Sequence, residues 1–376
     1  MNIAMIGSRG ITTNYGGIEK VLDALCPRLV DFGHTVHVYS SAGISVEAGR
    51  LRAIPVRSYG GKHFENITRS ALATLQALGR YDILHFHAIG PGILSLLTAA
   101  TRQRSVVTIH GVDWRRAKWG TAAKVCLQAA QLMMLSCASG ITVVSRSLDG
   151  YYRDRHGIEP CFIPNGMDHK HHVPLGAFGR SLGLVEGGYL LFASRLVPEK
   201  GCHDLLQAFA RLCTDKKLVI AGGAGEPAYI EELKRQADPS RVVVTGHRVG
   251  DELAELFSNA HLFLLPSYVE GMSNALLEAL AYQLPVLASD IEENAEVIGQ
   301  LGFYFRTGDV DDLARRLATL LDDDPAMQAM RSQLARVRHI DWDGVASCYH
   351  AFYHELLAEA GTRPHGGLSP IDLATT

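Results

Sequence analysis

The sequence predicts an α/β protein of two Rossmann-like domains, each a doubly wound parallel sheet, facing one another across a cleft. Three observations lead there. Short apolar, β-rich runs alternate with amphipathic helical stretches along nearly the whole chain. The runs are apolar almost throughout, as strands covered by helices on both faces must be. The alternation also stops near residue 170 and restarts after residue 188. A length of 376 residues suits two domains better than one.

In the first half the expected strands are 2–7, 35–40, 81–87, 105–110 and 140–145. Between the first two, Leu22, Leu25, Leu29 and Val30 follow the i, i+3, i+4 spacing of one buried helical face. The second half supplies strands at 189–194, 217–223, 241–246, 260–266 and 284–289. The intervening stretch, IPNGMDHKHHVPLGAFGRSLGLVEGG, carries prolines, glycines and histidines without helical period and reads as a linker. The expected domains are therefore 1–170 and 171–340, followed by an amphipathic helix within 341–360 packing back towards the first domain and a frayed tail at 361–376. The most apolar stretch, residues 121–140, is interrupted by Lys124, Gln128 and Gln131. It is too short for a membrane span and is expected to be a buried helix.

Composition narrows the function. Hydrophobic residues make up 47% and charged residues 20%, an ordinary globular balance. A net charge of −3 gives no footprint for nucleic acid. Seven cysteines without C-x-x-C or metal-ligand spacing read as buried thiols in a reducing compartment. The N-terminus enters a strand directly, without a basic segment leading into a long apolar one, so a cytoplasmic location is expected.

Open parallel sheets bind ligands beyond the carboxyl ends of their strands, so the segments after the strands carry the chemistry. In IGSRGITTNYGGIEK, Gly16 and Gly17 stand just before a helix, where backbone N–H groups and the helix dipole suit a phosphate. The spacing is not G-x-G-x-x-G, and a turn that merely needs glycines gives the same pattern. ASRLVPEKG places Arg195 and Lys200 after a strand. Two cations there fit a diphosphate, or are simply solvated surface charges. His110 closes the strand of TIHGVDW, as a packed polar group or as a contact to a substrate hydroxyl.

EGMSNALLE sets Glu270 in the loop before a helix that starts at Ser273 or Asn274, with Glu278 inside its first turns. A carboxylate at a helix N-terminus gains about 0.3–1 kcal/mol without any function, which accounts for Glu270 but not for Glu278. Three other signals are bland. DWD at 341–343 reads as a helix cap, DHKHH at 168–172 as linker, and HFH at 85–87 as packing at a strand end.

Taken in order, NYGGIEK, TIHG, FIPNGMD, ASRLVPEKG, VTGHRV, EGMSNALLEA and LASDIEENAEVIG resemble the GT-B glycosyltransferases of the retaining family 4. The resemblance covers almost the whole chain, and Glu270 with Glu278 matches that family's E-x7-E motif. It implies transfer of a sugar from a nucleoside-diphosphate sugar to a hydroxyl of a glycan or lipid-linked acceptor, in surface-polysaccharide or lipopolysaccharide synthesis, without cofactor or metal.

The resemblance also implies roles. Gly16 and Gly17 would approach the donor phosphates or sugar, Arg195 and Lys200 would neutralise the diphosphate, and His110 would lie by the sugar and the attacked carbon. Glu270 would contact sugar hydroxyls, and the backbone of Gly271, Met272, Ser273 and Asn274 would hold sugar and phosphate. Glu278 would accept from the ribose, and backbone near His247 and Arg248 would meet the base. HGVDWRRAKWG further resembles a subgroup of rhamnosyltransferases. Its Asp113, Trp114, Arg115, Arg116, Lys118 and Trp119 form a basic, aromatic patch suited to the acceptor or to an anionic inner membrane face, or a solvated surface with one packed Trp. Two other readings remain at this level. One is a sugar-nucleotide epimerase of the same fold, which needs no acceptor, and the other is a non-catalytic nucleotide-binding partner subunit.

Overall fold

The apolar runs become strands whose side chains are buried on both faces, as in Asn2–Ile6 (β1), Ile83–His87 (β5), Tyr189–Ala193 (β9) and Leu262–Leu265 (β12). They belong to a computed structural model of the chain that describes residues 1–12, 16–112, 114, 120–223, 225–336 and 339–358. The chain divides into two compact units. One is Met1–Gly166 joined by the segment beginning at Ile340, and the other is Met167–His339.

The first unit adds Thr35–Ser41 (β2), Val46–Ala48 (β3), Leu51–Val56 (β4), Arg104–Ile109 (β6), Gly140–Val143 (β7) and Cys161–Phe162 (β8). Its sheet order is β3-β4-β2-β1-β5-β6-β7-β8, parallel except for the β3–β4 pair. The second unit adds Lys217–Ala221 (β10), Val242–Gly246 (β11), Val286–Ser289 (β13) and Phe303–Phe305 (β14). Its order is β11-β10-β9-β12-β13-β14, parallel throughout. In both sheets the winding direction reverses beside the unit's first strand, between β1 and β5 and between β9 and β12. Such a reversal leaves the carboxyl ends of two neighbouring strands uncovered by a crossover helix.

The helix Gly17–Asp31 buries Leu22, Leu25 and Leu29 completely. It packs with the last helix, Trp342–Ala358, whose Val345, Tyr349, Phe352 and Tyr353 join the same core. Each such fully buried large side chain contributes about 1.5–3 kcal/mol of transfer free energy. Asp341 caps that last helix, its Oδ1 accepting the Gly344 N–H at 2.7 Å, and Gly166 lies so close to Trp342 that a Cβ there would meet it at 2.8 Å.

Three expectations are corrected. The helix Thr121–Cys137 is not buried: only Ala130, Gln131 and Met134 are, while Val125, Leu132 and Met133 are 59%, 56% and 46% exposed. It packs on one side against the short helices Ile89–Gly92 and Ser95–Ala100, and its apolar content exceeds what that contact covers. The cysteines are not uniformly buried either, for Cys26 and Cys202 are buried while Cys126 and Cys213 are exposed. The stretch read as linker contains the helix Ala177–Ser181. The Glu255 carboxylate holds it, accepting the N–H groups of Gly176 and Gly179 at 2.6 and 2.7 Å, a tertiary tie that leaves no periodic trace in sequence. The strands β3, β4, β8 and β14 were also unforeseen. Three are only two or three residues long, and Pro55 with Arg52 masks the alternation of β4. Among the described residues no helix is long and apolar enough to cross a membrane.

Candidate functional site

In the second unit the candidate residues gather at the reversal between β9 and β12. After β9 the chain makes a short 3-10 turn, Pro198–Lys200, and leaves it through Gly201 at φ +67°. A Cβ on Gly201 would stand 2.0 Å from the carbonyl oxygen of Pro266, so only glycine lets this turn press against the end of β12. That approach delivers Lys200 to Glu270. The Lys200 Nζ donates to Glu270 Oε1, and Ser267 Oγ donates to the same oxygen at 2.7 Å. The two charged side chains are 11% and 7% exposed. At such burial a lone charge would be costly, so each carries the other.

The cluster continues inward. Ser289 Oγ donates to the Ser267 carbonyl at 2.5 Å, and Asn294 Nδ2 donates to the Ser289 carbonyl at 3.1 Å. Beside it the Tyr268 N–H donates to the Glu199 carbonyl at 2.9 Å. The Tyr268 hydroxyl donates to the Asp204 carboxylate, and its ring stacks on His203. Burial, then the Asp204 charge, pushes the Tyr268 hydroxyl up to about 12.

The helix Asn274–Ala281 begins here with Ser273 as its cap, Oγ accepting the Leu276 N–H at 3.4 Å. Gly271 is buried, and Met272 packs its side chain on the core. Glu278 is half-buried one turn into the helix. Together with burial, its charge pushes the Tyr282 hydroxyl up to about 12. Arg195 is half-buried on the same loop as Lys200, its carbonyl accepting the Val197 N–H at 3.0 Å. His247 and Arg248 follow β11; a Cβ on Gly223 would meet the His247 Cβ at 2.9 Å, and the Gly223 carbonyl accepts the N–H of Leu196, the neighbour of Arg195, at 3.1 Å. The Arg248 guanidinium donates to the Thr245 carbonyl at 2.6 and 2.9 Å and to Glu252 at 3.1 Å, while His247 is exposed.

In the first unit the reversal lies between β1 and β5. Gly7 follows β1 at φ +115°, and a Cβ there would stand 2.5 Å from the His87 carbonyl oxygen. Glu19, buried in the first turn of the helix Gly17–Asp31, accepts the Arg9 N–H at 2.9 Å and ties the loop after β1 to that helix. Gly16 is extended and caps the helix start without a side chain; a Cβ on it would come within 3.0 Å of Glu19 Oε2.

His110 stands one residue past β6, its Nε2 lying 3.1 Å from His87 Nδ1 with the rings stacked. His87 in turn stacks on His85 at 4.3 Å between centroids. His85 is pinned by the Tyr353 hydroxyl at Nδ1 and Thr108 Oγ1 at Nε2, both at 2.6 Å. Burial, and then the nearby His110, pushes His85 down to about 3. Burial with the two neighbouring imidazoles holds His87 well below the ordinary histidine range.

Of the basic patch, Asp113, Arg115, Arg116, Lys118 and Trp119 lie outside the described residues; Trp114 is half-buried with its ring against Tyr151. Sequence reasoning passed over Ser267, Glu19 and His87. Glu19 had a legible signal, a glutamate three residues after the cap. His87 had one only as part of HFH, and Ser267 had none.

Two family models cover most of the chain. "Glycosyltransferase Family 4" matches residues 15–171 and "Glycosyl transferases group 1" matches residues 187–323. The glycogen synthase of Mycobacterium tuberculosis is 30% identical over 71% of this chain and 66% of its own length. The chain thus spans about two thirds of the length of the first curated relatives it matches. Among solved structures, sucrose-phosphate synthase from Thermosynechococcus elongatus aligns with a TM-score of 0.79 at 20% identity, over 95% of this chain and 99% of that one. Anabaena HepE, solved with UDP-glucose, aligns with a TM-score of 0.70 at 18% identity, over 96% and 98%.

Proposed function

The chain belongs to the GT-B glycosyltransferases, and on that premise we propose that it transfers a hexose or deoxyhexose, with retention, from a nucleoside-diphosphate sugar to a hydroxyl of a glycan or lipid-linked acceptor. The observation that carries this reading is the Lys200–Glu270–Ser267 cluster at the strand ends where β9 and β12 diverge. Without donor, the Lys200 charge is balanced by Glu270. A bound diphosphate gives Lys200 a second anionic partner, and Arg195 on the same loop adds another cation.

In the reaction the bond between the anomeric carbon and the phosphate oxygen breaks, and a bond from that carbon to the acceptor oxygen forms on the same face. The acceptor proton passes to the departing diphosphate. Negative charge grows on the leaving group, where Lys200, Arg195 and the N–H groups at Gly271–Asn274 stabilise it. These cations supply the charge that a metal would otherwise bring. Glu270 orients sugar hydroxyls and Glu278 accepts from the ribose, while Gly16, Gly17 and His110 keep the roles that the family resemblance implies for them. That HepE binds UDP-glucose supports the donor class.

The acceptor side is read from the first unit. The exposed apolar face of the helix Thr121–Cys137 lies within residues 83–148, which carry seven basic residues and one acidic in a chain of net charge −3. An exposed apolar face on a chain segment rich in basic residues supports contact with an anionic membrane and hence a lipid-linked acceptor in surface-polysaccharide synthesis, a rhamnosyltransferase-like role included. The test is release of nucleoside diphosphate across a panel of nucleotide sugars, with the anomeric configuration of the product read by NMR. Arg195→Ala should lower donor turnover about 100-fold without changing the thermal melt. Wild-type turnover in that variant would overturn the assignment.

A further inference from the structure

The three stacked imidazoles of the first unit leave one proton to be placed. His87 Nδ1 and His110 Nε2 are 3.1 Å apart, and either ring can be the donor. The other nitrogen of His87, Nε2, is buried and has no partner among the described residues. If His110 donated, the single proton of a neutral His87 would sit on Nε2 as a buried, unmet N–H. If His87 donates from Nδ1, only a lone pair is left unmet. Orphaned buried donors are rarer in folded proteins than under-satisfied acceptors. A doubly protonated His87 restores the orphan donor and also places a charge against the buried ring of His85, itself fixed at both nitrogens by Tyr353 and Thr108.

We propose that His87 is a positioning residue that fixes the tautomer of His110, holding the ring proton of His110 on Nδ1. The Nε2 of His110 is then occupied as an acceptor, so any hydrogen bond that the His110 ring gives a ligand is donated by Nδ1–H, and the ring does not take the acceptor's proton. The tautomer stands on the geometry alone; its use in sugar binding rests on the function proposed above. The last helix enters this arrangement too, because Tyr353 pins the His85 ring on which His87 stacks.

The test uses the full chain labelled with 15N-histidine and long-range proton–nitrogen correlation at pH 7.5, with the His110 signal identified by its loss in His110→Asn. The expected pattern is Nδ1–H, and an Nε2–H or averaged pattern in the wild-type protein would overturn the proposal. His87→Leu should release His110 into a tautomer mixture and lower kcat about tenfold with little change in KM. His87→Asn, whose amide keeps a donor near the Nδ1 position, should restore the Nδ1–H pattern. A folded His87→Leu variant with an unchanged His110 pattern would also sink it. Should His87→Leu fail to fold, the wild-type and His87→Asn spectra still decide. If the tautomer is as expected but His110→Leu, which keeps no donor at that position, turns over donor at the wild-type rate, the sugar-binding role of His110 fails while the tautomer assignment survives.

Discussion

The two units use the same backbone device and put different chemistry on it. In each, a glycine after the first strand presses against the carbonyl that closes the neighbouring strand. Gly7 does so against His87, with a Cβ contact of 2.5 Å, and Gly201 against Pro266, with one of 2.0 Å. Above Gly7 the clustered side chains are stacked imidazoles with hydroxyls behind them, while the Glu19 carboxylate ties down the adjoining loop. Above Gly201 they are charged, with Lys200 held by Glu270 and Tyr268 by Asp204. The doubly wound sheet thus decides where a site can be, and the residues after the strands decide whether it carries charge.

The largest expected effect tests the shared device. Gly201→Ala adds a Cβ into the Pro266 carbonyl at a positive φ, which should cost about 4 kcal/mol or prevent folding. Urea unfolding measures it, and a loss under about 1 kcal/mol would mean that the turn can move away without consequence.

Next comes the charge. Lys200→Met strands the buried Glu270 carboxylate and should cost about 3 kcal/mol. The double variant Lys200→Met with Glu270→Gln should recover most of that stability while remaining inactive. If the single variant unfolds like the wild type, the charged half of the comparison is wrong. Lys200 is therefore unsuited to a clean activity test, whereas Arg195 suits one.

The smallest effect concerns pH. His85 is held down to about 3 chiefly by burial, and His34 to about 4 by burial and by the N-terminal amine, against an ordinary value near 6.5. As pH falls from about 6.5 towards 4, the unfolded chain takes up protons that the folded one refuses, so stability falls with falling pH. Burial also lowers His261 in the second unit, to about 4, but the first unit holds more such groups, with His37, His87, His156 and His350 lowered as well. Amide protection factors, which correct for the slower intrinsic exchange at low pH, should therefore fall more between pH 7.5 and 5.5 in β5 and the last helix than in β12. An equal fall in both would erase the contrast.

Much of the fold was legible, because strand and helix signals are local. The ten expected strands are all present, and the helical face of Leu22, Leu25 and Leu29 is buried as its spacing implies. Burial of a whole helix was not legible. The apolar sequence at 121–137 fits a core helix and a surface helix equally well, and only its neighbours distinguish them.

By itself the sequence determined two parallel sheets and put Arg195, Lys200, Glu270 and His110 just beyond strand ends, since apolar runs and turn glycines act over a few residues. The tertiary structure decided which of those groups meet. Lys200 and Glu270 are 70 residues apart, and His85 and Tyr353 are 268 apart. They meet because the sheet order places β9 beside β12 and the last helix folds back onto the first unit's core. The same packing withdraws His87 from water and takes from it the partner that would let its proton sit on either nitrogen.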